Sequence, residues 1–208
     1  MKVLLIDVDS TIPNLALMKI SAWHKAQGDE VGFNVADPDK VYASVIFKKN
    51  RHMVDGLRFY YPNAEIDIGG SGYDLKKVLP AEIEEMAPDY DLYPDNDSYY
   101  GFTTRGCIRH CSFCIVPRKE GKFHPISNKW GNTPQAMLNQ MGIRDKRFEK
   151  ITFLDNNILA DKSRFLELAD ILAKIGKKVD FNQGLDIRLV DDEIAQALAK
   201  LRPIRDWK

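Results

Sequence analysis

Short apolar segments alternate with helical segments along the whole chain, and this alternation is the feature that most restricts its fold. Residues 3–8, 41–47, 65–68, 151–154 and 179–182 are rich in Val, Ile, Leu and Phe and predict strands. The segments between them predict helices. Strands that alternate with helices form parallel sheets covered by helices. The sequence therefore predicts an α/β protein, with a further strand starting at Ile204–Trp207.

Cap residues and turn-rich segments divide this α/β pattern. Ser10 or Thr11 is the expected cap of the first helix, and Thr133, Asp161 and Asp191 are expected to cap later ones. Residues 88–98 combine Pro, Asp, Asn and Tyr and predict a linker. Because 208 residues suit one large or two small domains, we predict a Rossmann-like domain over 1–96 and a second domain over 97–208.

All three cysteines fall within eight residues, as Cys107, Cys111 and Cys114, in a C-x3-C-x2-C pattern. An odd number of thiols so close together is a poor disulfide framework, and clustered thiols are typical of reducing compartments. Three thiolates on a short loop can bind one face of an iron–sulfur cluster, or a zinc ion. The pattern predicts a metal site. Because no segment approaches the roughly 20 apolar residues of a spanning helix and no signal peptide is visible, we expect a cytoplasmic protein without a membrane span.

Charge is balanced over the whole chain but not around the cysteines. Thirty Lys and Arg offset thirty Asp and Glu, so no overall field favours a polyanion. Between Gly101 and Trp130, however, six basic residues accompany one acid, Glu120, for a local net charge of +5. These charges can neutralise an anionic cluster and its ligand, or contact an anionic macromolecule such as tRNA.

The stretch Gly101–Gly121, GFTTRGCIRHCSFCIVPRKEG, resembles the radical S-adenosylmethionine enzymes. The signature of that family is this cysteine spacing with an aromatic residue before the third cysteine, here Phe113. The α/β segment ahead of the motif is similar to the subgroup with an N-terminal cobalamin-binding-type Rossmann domain. The resemblance implies that residues 97–208 form part of a radical S-adenosylmethionine (βα) barrel.

The resemblance also implies cofactors and a reaction. Cys107, Cys111 and Cys114 would bind three irons of a 4Fe–4S cluster, and S-adenosylmethionine would bind the fourth. Reductive cleavage of S-adenosylmethionine would give methionine and a 5′-deoxyadenosyl radical. Phe113 would lie near the adenine and shield the cluster. A reductant such as flavodoxin or ferredoxin would supply the electron, and the substrate would be a small molecule, a peptide or tRNA.

Four further residues follow strands and are candidates for binding S-adenosylmethionine. Asp155 and Asn156 stand where the family commonly has Gly-Gly-Glu, which contacts the methionine amino group. Gln183 can reach a ribose, and Arg188 can pair with the methionine carboxylate. For each pair the simpler interpretation is an ordinary polar turn or a surface ion pair.

Three alternatives stay open at the level of the sequence. The cysteines with His110 or His124 can form a Cys₃His zinc site in a non-enzymatic module that binds nucleic acid. Cobalamin is a candidate cofactor, although His52 fits the family's base-off motif only in part. The chain supplies fewer βα units than a closed barrel of about 250 residues. We therefore expect truncation within the barrel, or a second chain that completes it.

Overall fold

The computed structural model describes residues 1–205, and these divide into two compact α/β units. The first unit is Met1–Asn96 and the second begins at Asp97. The end of the expected strand Ile204–Trp207 lies outside the described residues. No helix within residues 1–205 has the length and hydropathy required to cross a membrane.

The first unit contains one parallel sheet and short helices. Its elements are β1 (Lys2–Asp7), α1 (Leu15–Ala26), β2 (Glu30–Gly32), β3 (Lys40–Ser44), α2 (Leu57–Tyr60), β4 (Glu65–Gly69) and α3 (Ala81–Glu84), with 3₁₀ helices at Lys48–Val54 and Tyr90–Leu92. The strand order is β2-β1-β3-β4, and every pairing is parallel. The chain changes direction across the sheet between β1 and β3, so this unit has a Rossmann-type switch point.

The second unit repeats the parallel arrangement with longer helices. Its elements are β5 (Ser98–Gly101), β6 (Thr104–Arg105), α4 (Val116–Lys119), β7 (His124–Pro125), α5 (Pro134–Gln140), β8 (Lys150–Phe153), α6 (Lys162–Ile175), β9 (Lys178–Phe181), α7 (Asp192–Ala199) and β10 (Arg202–Pro203), with 3₁₀ helices at Ile143–Asp145, Ile158–Ala160 and Ile187–Leu189. The parallel strands have the order β10-β9-β8-β5, and β6 pairs with β7 in an antiparallel hairpin.

The core of the second unit forms because β8 and β9 are buried and α6 carries one apolar face. Phe165 is 1% exposed, and its ring lies against Phe181 in an edge-on contact with centroids 5.9 Å apart. Leu168 and Leu172 follow on the same face of α6. At the ends of the helix, Asp161 accepts from the backbone N–H of Arg164, and Gly176 adopts a left-handed conformation. The predicted cap of this helix, Asp161, is confirmed.

Two local expectations are wrong, and a third segment is more ordered than expected. The first helix begins at Leu15 and is capped by Asn14, whose Oδ1 accepts from the N–H of Leu17, so neither Ser10 nor Thr11 caps it. The segment 51–60, which lies between two predicted strands and is therefore expected to be one helix, instead contains the end of a 3₁₀ helix followed, after Gly56, by α2. The expected linker at 88–98 contains a 3₁₀ turn whose Tyr90 and Leu92 are buried.

Truncation of Phe165 to alanine should destabilise the second unit. Loss of a buried phenylalanine typically costs about 3–5 kcal/mol through lost transfer energy and the cavity that remains. Urea unfolding followed by circular dichroism measures the change. Glu167→Ala, at an exposed position of the same helix, is the control and should change stability by less than about 0.5 kcal/mol. Equal stability of the two variants would contradict the assignment of the core.

Candidate iron–sulfur site

The cysteine loop begins at one edge of the second sheet, where three parallel strands end. β5 leads into the loop through Phe102, β8 is followed by 154–157, and β9 is followed by 182–188. The backbone continues the pairing past the strands, since Leu154 donates to the carbonyl of Gly101 and Asn182 to that of Phe153. The carboxyl edge of such a sheet is the usual place for binding and catalytic groups. The topology therefore brings the cysteines and both polar turns to one edge.

The three cysteines are free thiols of intermediate exposure. The backbone N–H of Arg109 lies 3.3 Å from Sγ of Cys107, and the N–H of Val116 lies 3.4 Å from Sγ of Cys114. A turn hydrogen bond joins the N–H of Cys114 to the carbonyl of Cys111. The loop is thus folded so that its own backbone directs two N–H groups toward sulfur atoms.

Gly106 fixes the point at which the loop leaves β6. Its φ is +73°, and a Cβ there would lie 2.4 Å from the carbonyl oxygen of Lys122. Only glycine adopts this conformation without strain and permits such a close backbone approach. Beside it, the guanidinium of Arg105 stacks on the Phe102 ring at 3.5 Å and lies 3.6 Å from Glu120. The segment around Lys122 is therefore held directly against the start of the cysteine loop.

Asp155 fastens the segment that leads to the cysteines to the end of β8. One of its carboxylate oxygens accepts from the N–H of Thr104 at 2.6 Å and from the hydroxyls of Thr103 and Thr104 at 2.8 and 2.7 Å. Both oxygens lie 3.0 Å from the N–H of Thr103. Burial raises the pKa of Asp155, while the donors from the two threonines oppose that shift. Its carboxylate is already used within the protein, so the geometry indicates a positioning role.

A second polar network joins the cysteine loop to the turn after β9. Asp186 accepts from Nε of Arg109 at 2.8 Å and from Nε of Arg188 at 2.7 Å. Hydrogen bonds from Arg188 and Arg109 outweigh burial and hold the pKa of Asp186 well below its usual range. Asn157 is 5% exposed, and its Nδ2 lies 3.3 Å from Asp186 and 3.6 Å from Sγ of Cys107. This network places two cations and one amide donor beside the sulfurs.

The remaining candidate residues differ in how the structure presents them. The guanidinium of Arg188 is paired with Asp186 but its side chain is 61% exposed, and Gln183 is exposed on the same turn. Oδ1 of Asn156 is buried and has no hydrogen-bond partner among residues 1–205. Phe113 is 90% exposed. Its ring does not pack on the described residues, and its place beside the adenine and the cluster stays a prediction.

Asn157 and Asp186 were missed as site residues when the sequence was considered alone. Asn157 directly follows the candidates Asp155 and Asn156, and Asp186 lies two residues before the candidate Arg188. The sequence signal for both residues is that they follow a predicted strand. This signal does not show which side chain of each turn points toward Cys107, because that depends on the conformation of the turn.

The first unit has its own polar junction at the carboxyl edge, between β1 and β3. Asp9 accepts from the N–H groups of Ile46 at 2.6 Å and Phe47 at 2.9 Å, and from Asn50. Burial alone would raise the pKa of Asp9, but these hydrogen bonds outweigh it and lower the pKa. Ile46 and Phe47 are 36% and 46% exposed, so this junction presents apolar side chains at the switch point.

The glycine-rich segment after β4 packs on the protein's own backbone. A Cβ at Gly70 would lie 2.3 Å from the carbonyl oxygen of Val45, and one at Gly72 would lie 2.6 Å from the carbonyl carbon of Phe47. These glycines are explained by that close approach. His52 lies exposed on the 3₁₀ helix Lys48–Val54, with Nδ1 3.0 Å from the carbonyl oxygen of Lys49.

Comparison with known proteins gives relatives of one type. The chain is 25% identical over 199 residues to a tRNA-2-methylthio-N(6)-dimethylallyladenosine synthase of Hydrogenobaculum sp. (strain Y04AAS1), covering 91% of this chain and 41% of the relative. An enzyme of the same name from Porphyromonas gingivalis (strain W83) is 24% identical, over 69% of this chain and 33% of its own length. The chain thus spans less than half of these relatives. No family model matches.

A solved structure has a similar fold. The radical S-adenosylmethionine methyltransferase TsrM from Kitasatospora setae, with cobalamin and a [4Fe-4S] cluster bound, superposes with a TM-score of 0.62 at 12% identity. The match covers 97% of this chain and 59% of TsrM.

The fold and the cysteine loop define an α/β protein with a Rossmann-type unit followed by part of a (βα) barrel. The predicted fold class is confirmed. The relatives and the structural neighbour together confirm the resemblance to the radical S-adenosylmethionine enzymes, and the neighbour shares the fold of both units.

Replacement of Asp155 by alanine should destabilise the second unit by at least about 3 kcal/mol, because it leaves several buried donors on Thr103 and Thr104 without an acceptor. Thermal or urea unfolding measures the loss. Asp170→Ala removes an exposed carboxylate that is paired with Lys200 at 3.2 Å and should cost less than about 1 kcal/mol. A loss at Asp155 no larger than at Asp170 would refute the anchoring role.

Proposed function

We propose that this chain binds a 4Fe–4S cluster through Cys107, Cys111 and Cys114 and takes part in radical chemistry that begins with reductive cleavage of S-adenosylmethionine. The observation that carries the proposal is the position of the three free thiols at the carboxyl edge of the second sheet. The confirmed family resemblance supports the same reaction class.

The donor set suits a cluster better than a single zinc ion. Cys107 and Cys114 receive backbone N–H bonds, and Arg109 lies on the same loop, as expected for anionic sulfurs. A zinc site needs all of its ligands within about 2.3 Å of one ion. Zinc sites usually draw their cysteines from paired C-x2-C arms, and this chain has one such arm. In a 4Fe–4S cluster each cysteine binds a different iron, so the thiolates need not converge on one point.

The chain's own residues supply the binding and positioning functions. When bound, the reduced cluster supplies the electron that cleaves S-adenosylmethionine. Arg188 presents an exposed guanidinium that can pair with the methionine carboxylate, and Asn156 has a buried amide oxygen available to a donor. Gln183 extends the polar surface of the same edge and can bind the ribose. Asp155 holds the start of the cysteine loop, and exposed Phe113 is available to pack on the adenine.

The substrate and electron donor follow from the family and from the loop's charge. The relatives' names specify tRNA modification, and the segment from Gly101 to Trp130 has a net charge of +5. We therefore choose tRNA as the first substrate to test, before a peptide or a small molecule. A low-potential reductant such as flavodoxin or ferredoxin would supply the electron. The free thiols fit a reducing compartment, and we assign the protein to the cytoplasm on that basis.

For residues 1–96 we propose a cobalamin-binding-type domain. Ligands of open α/β sheets bind at the switch point, and here Ile46 and Phe47 present apolar surface at that position. Such a surface suits the face of a large macrocycle. The structural neighbour, which resembles both units, has cobalamin bound. The Gly70–Gly72 segment contributes through packing against Val45 and Phe47.

Anaerobic reconstitution with iron and sulfide tests the cluster. The wild-type chain should acquire visible absorbance and acid-labile sulfide, and Cys111→Ala should lose both because one of three ligands is gone. His124→Ala is the matched control and should retain both, because the proposed cluster takes its protein ligands from the three cysteines alone. A wild-type preparation that binds zinc and remains colourless, or loss of metal from the histidine variant, would refute the proposal.

Gel filtration after incubation with hydroxocobalamin tests the first unit. Cobalamin should co-elute with the wild-type chain, and Phe47→Asp should reduce the bound fraction at least about tenfold by placing a charge against the macrocycle. Phe59→Asp, at an 84% exposed position on α2, makes the same change elsewhere and should bind normally. Absence of binding by the wild type, or equal binding by all three proteins, would contradict this assignment.

A further inference from the structure

Asn157 is the side chain that links the cysteine motif to the turn after β9. Its Nδ2 lies 3.6 Å from Sγ of Cys107 and 3.3 Å from Oδ2 of Asp186, and that oxygen also accepts from Nε of Arg109. The amide group has two N–H bonds to donate, and the structure offers one acceptor to each. Asn157 is 5% exposed, so water does not compete freely for these bonds.

Chemistry fixes the orientation of this amide. In the flipped orientation Oδ1 would face Oδ2 of Asp186, and two oxygens without a proton between them repel. The pKa of Asp186 is held low by Arg188 and Arg109, so this carboxylate can only accept. Asn157 must therefore turn its Nδ2 toward Asp186 and Cys107. Its Oδ1 is buried and has no partner among residues 1–205.

We propose that Asn157 is a positioning residue that donates an N–H···S hydrogen bond to Cys107 and thereby raises the reduction potential of the bound cluster. The inference rests on the proposed cluster at Cys107, Cys111 and Cys114. Reduction adds negative charge to the cluster and its sulfurs, and a donor to sulfur stabilises that charge more in the reduced state. The backbone N–H of Arg109 gives Cys107 a first bond at 3.3 Å, and Asn157 adds a second from another strand end.

Asp186 keeps the amide of Asn157 in the orientation that donates to Cys107. Its carboxylate holds the amide in place, while Arg109 and Arg188 balance its charge. Without the amide donor, Cys107 would keep the hydrogen bond from the backbone N–H of Arg109 but lose the one from Asn157. The cluster would then be harder to reduce, although its three cysteine ligands would be unchanged.

Redox titration of the reconstituted protein, followed by electron paramagnetic resonance without S-adenosylmethionine, tests this role. Asn157→Leu removes the donor at nearly constant size, and Asn157→Asp also adds a negative charge. Both should lower the reduced-to-oxidised ratio at a fixed potential by at least about tenfold, equivalent to about 59 mV for one electron. The aspartate variant should show the larger shift. Iron and sulfide content per chain should stay at the wild-type level.

Asn156→Asp is the matched control, because it adds the same charge one residue away from the group that contacts Cys107. Its potential should stay closer to that of the wild type than the potential of Asn157→Asp. Equal shifts in both aspartate variants, or a wild-type potential in Asn157→Leu with a full cluster, would overturn the inference while leaving the proposed function standing. Failure of the wild-type chain to bind iron and sulfide would instead refute the proposed function itself.

Discussion

Aspartate carboxylates join adjacent strand ends in both units, and the arrangement of the candidate sites depends on these hydrogen bonds. In the second unit Asp155, after β8, accepts hydrogen bonds from Thr103 and Thr104, which follow β5. In the first unit Asp9, after β1, accepts from Ile46 and Phe47, which follow β3. Parallel strands end with unpaired backbone N–H groups, and burying such groups without acceptors is costly. Each aspartate satisfies these groups and so fixes the loop that begins there.

The anchored loop in the second unit can then carry chemistry that its residues would not perform in a free peptide. Three thiolates on one loop would repel one another. Backbone N–H groups, Arg109 and the amide of Asn157 lie close enough to the sulfurs to offset that repulsion. The cation on Arg109 is in turn held by Asp186. Charge alternates outward from the sulfurs, so a negatively charged cofactor can be held without leaving a buried charge unpaired.

Several elements could be predicted from the sequence because their signals are local. The caps Thr133, Asp161 and Asp191 lie only three residues before the residues whose N–H groups they bind. The prediction that Ser10 or Thr11 caps the first helix is wrong, although serine and threonine are both favourable N-cap residues. Asn14 occupies that position, and its Nδ2 donates to Ser44 on β3, so a contact thirty residues away supports it. Such a contact has no signature within the helix itself.

The sequence by itself determined the α/β class and the three cysteines, because strand periodicity and C-x3-C-x2-C spacing are properties of consecutive residues. Tertiary structure decided how the polar residues after the strands are used. Asp155 became an anchor for Thr103 and Thr104, and Asn157 became the neighbour of Cys107. These pairs are about fifty residues apart, and they meet only because parallel pairing of β5, β8 and β9 brings their carboxyl ends to one edge.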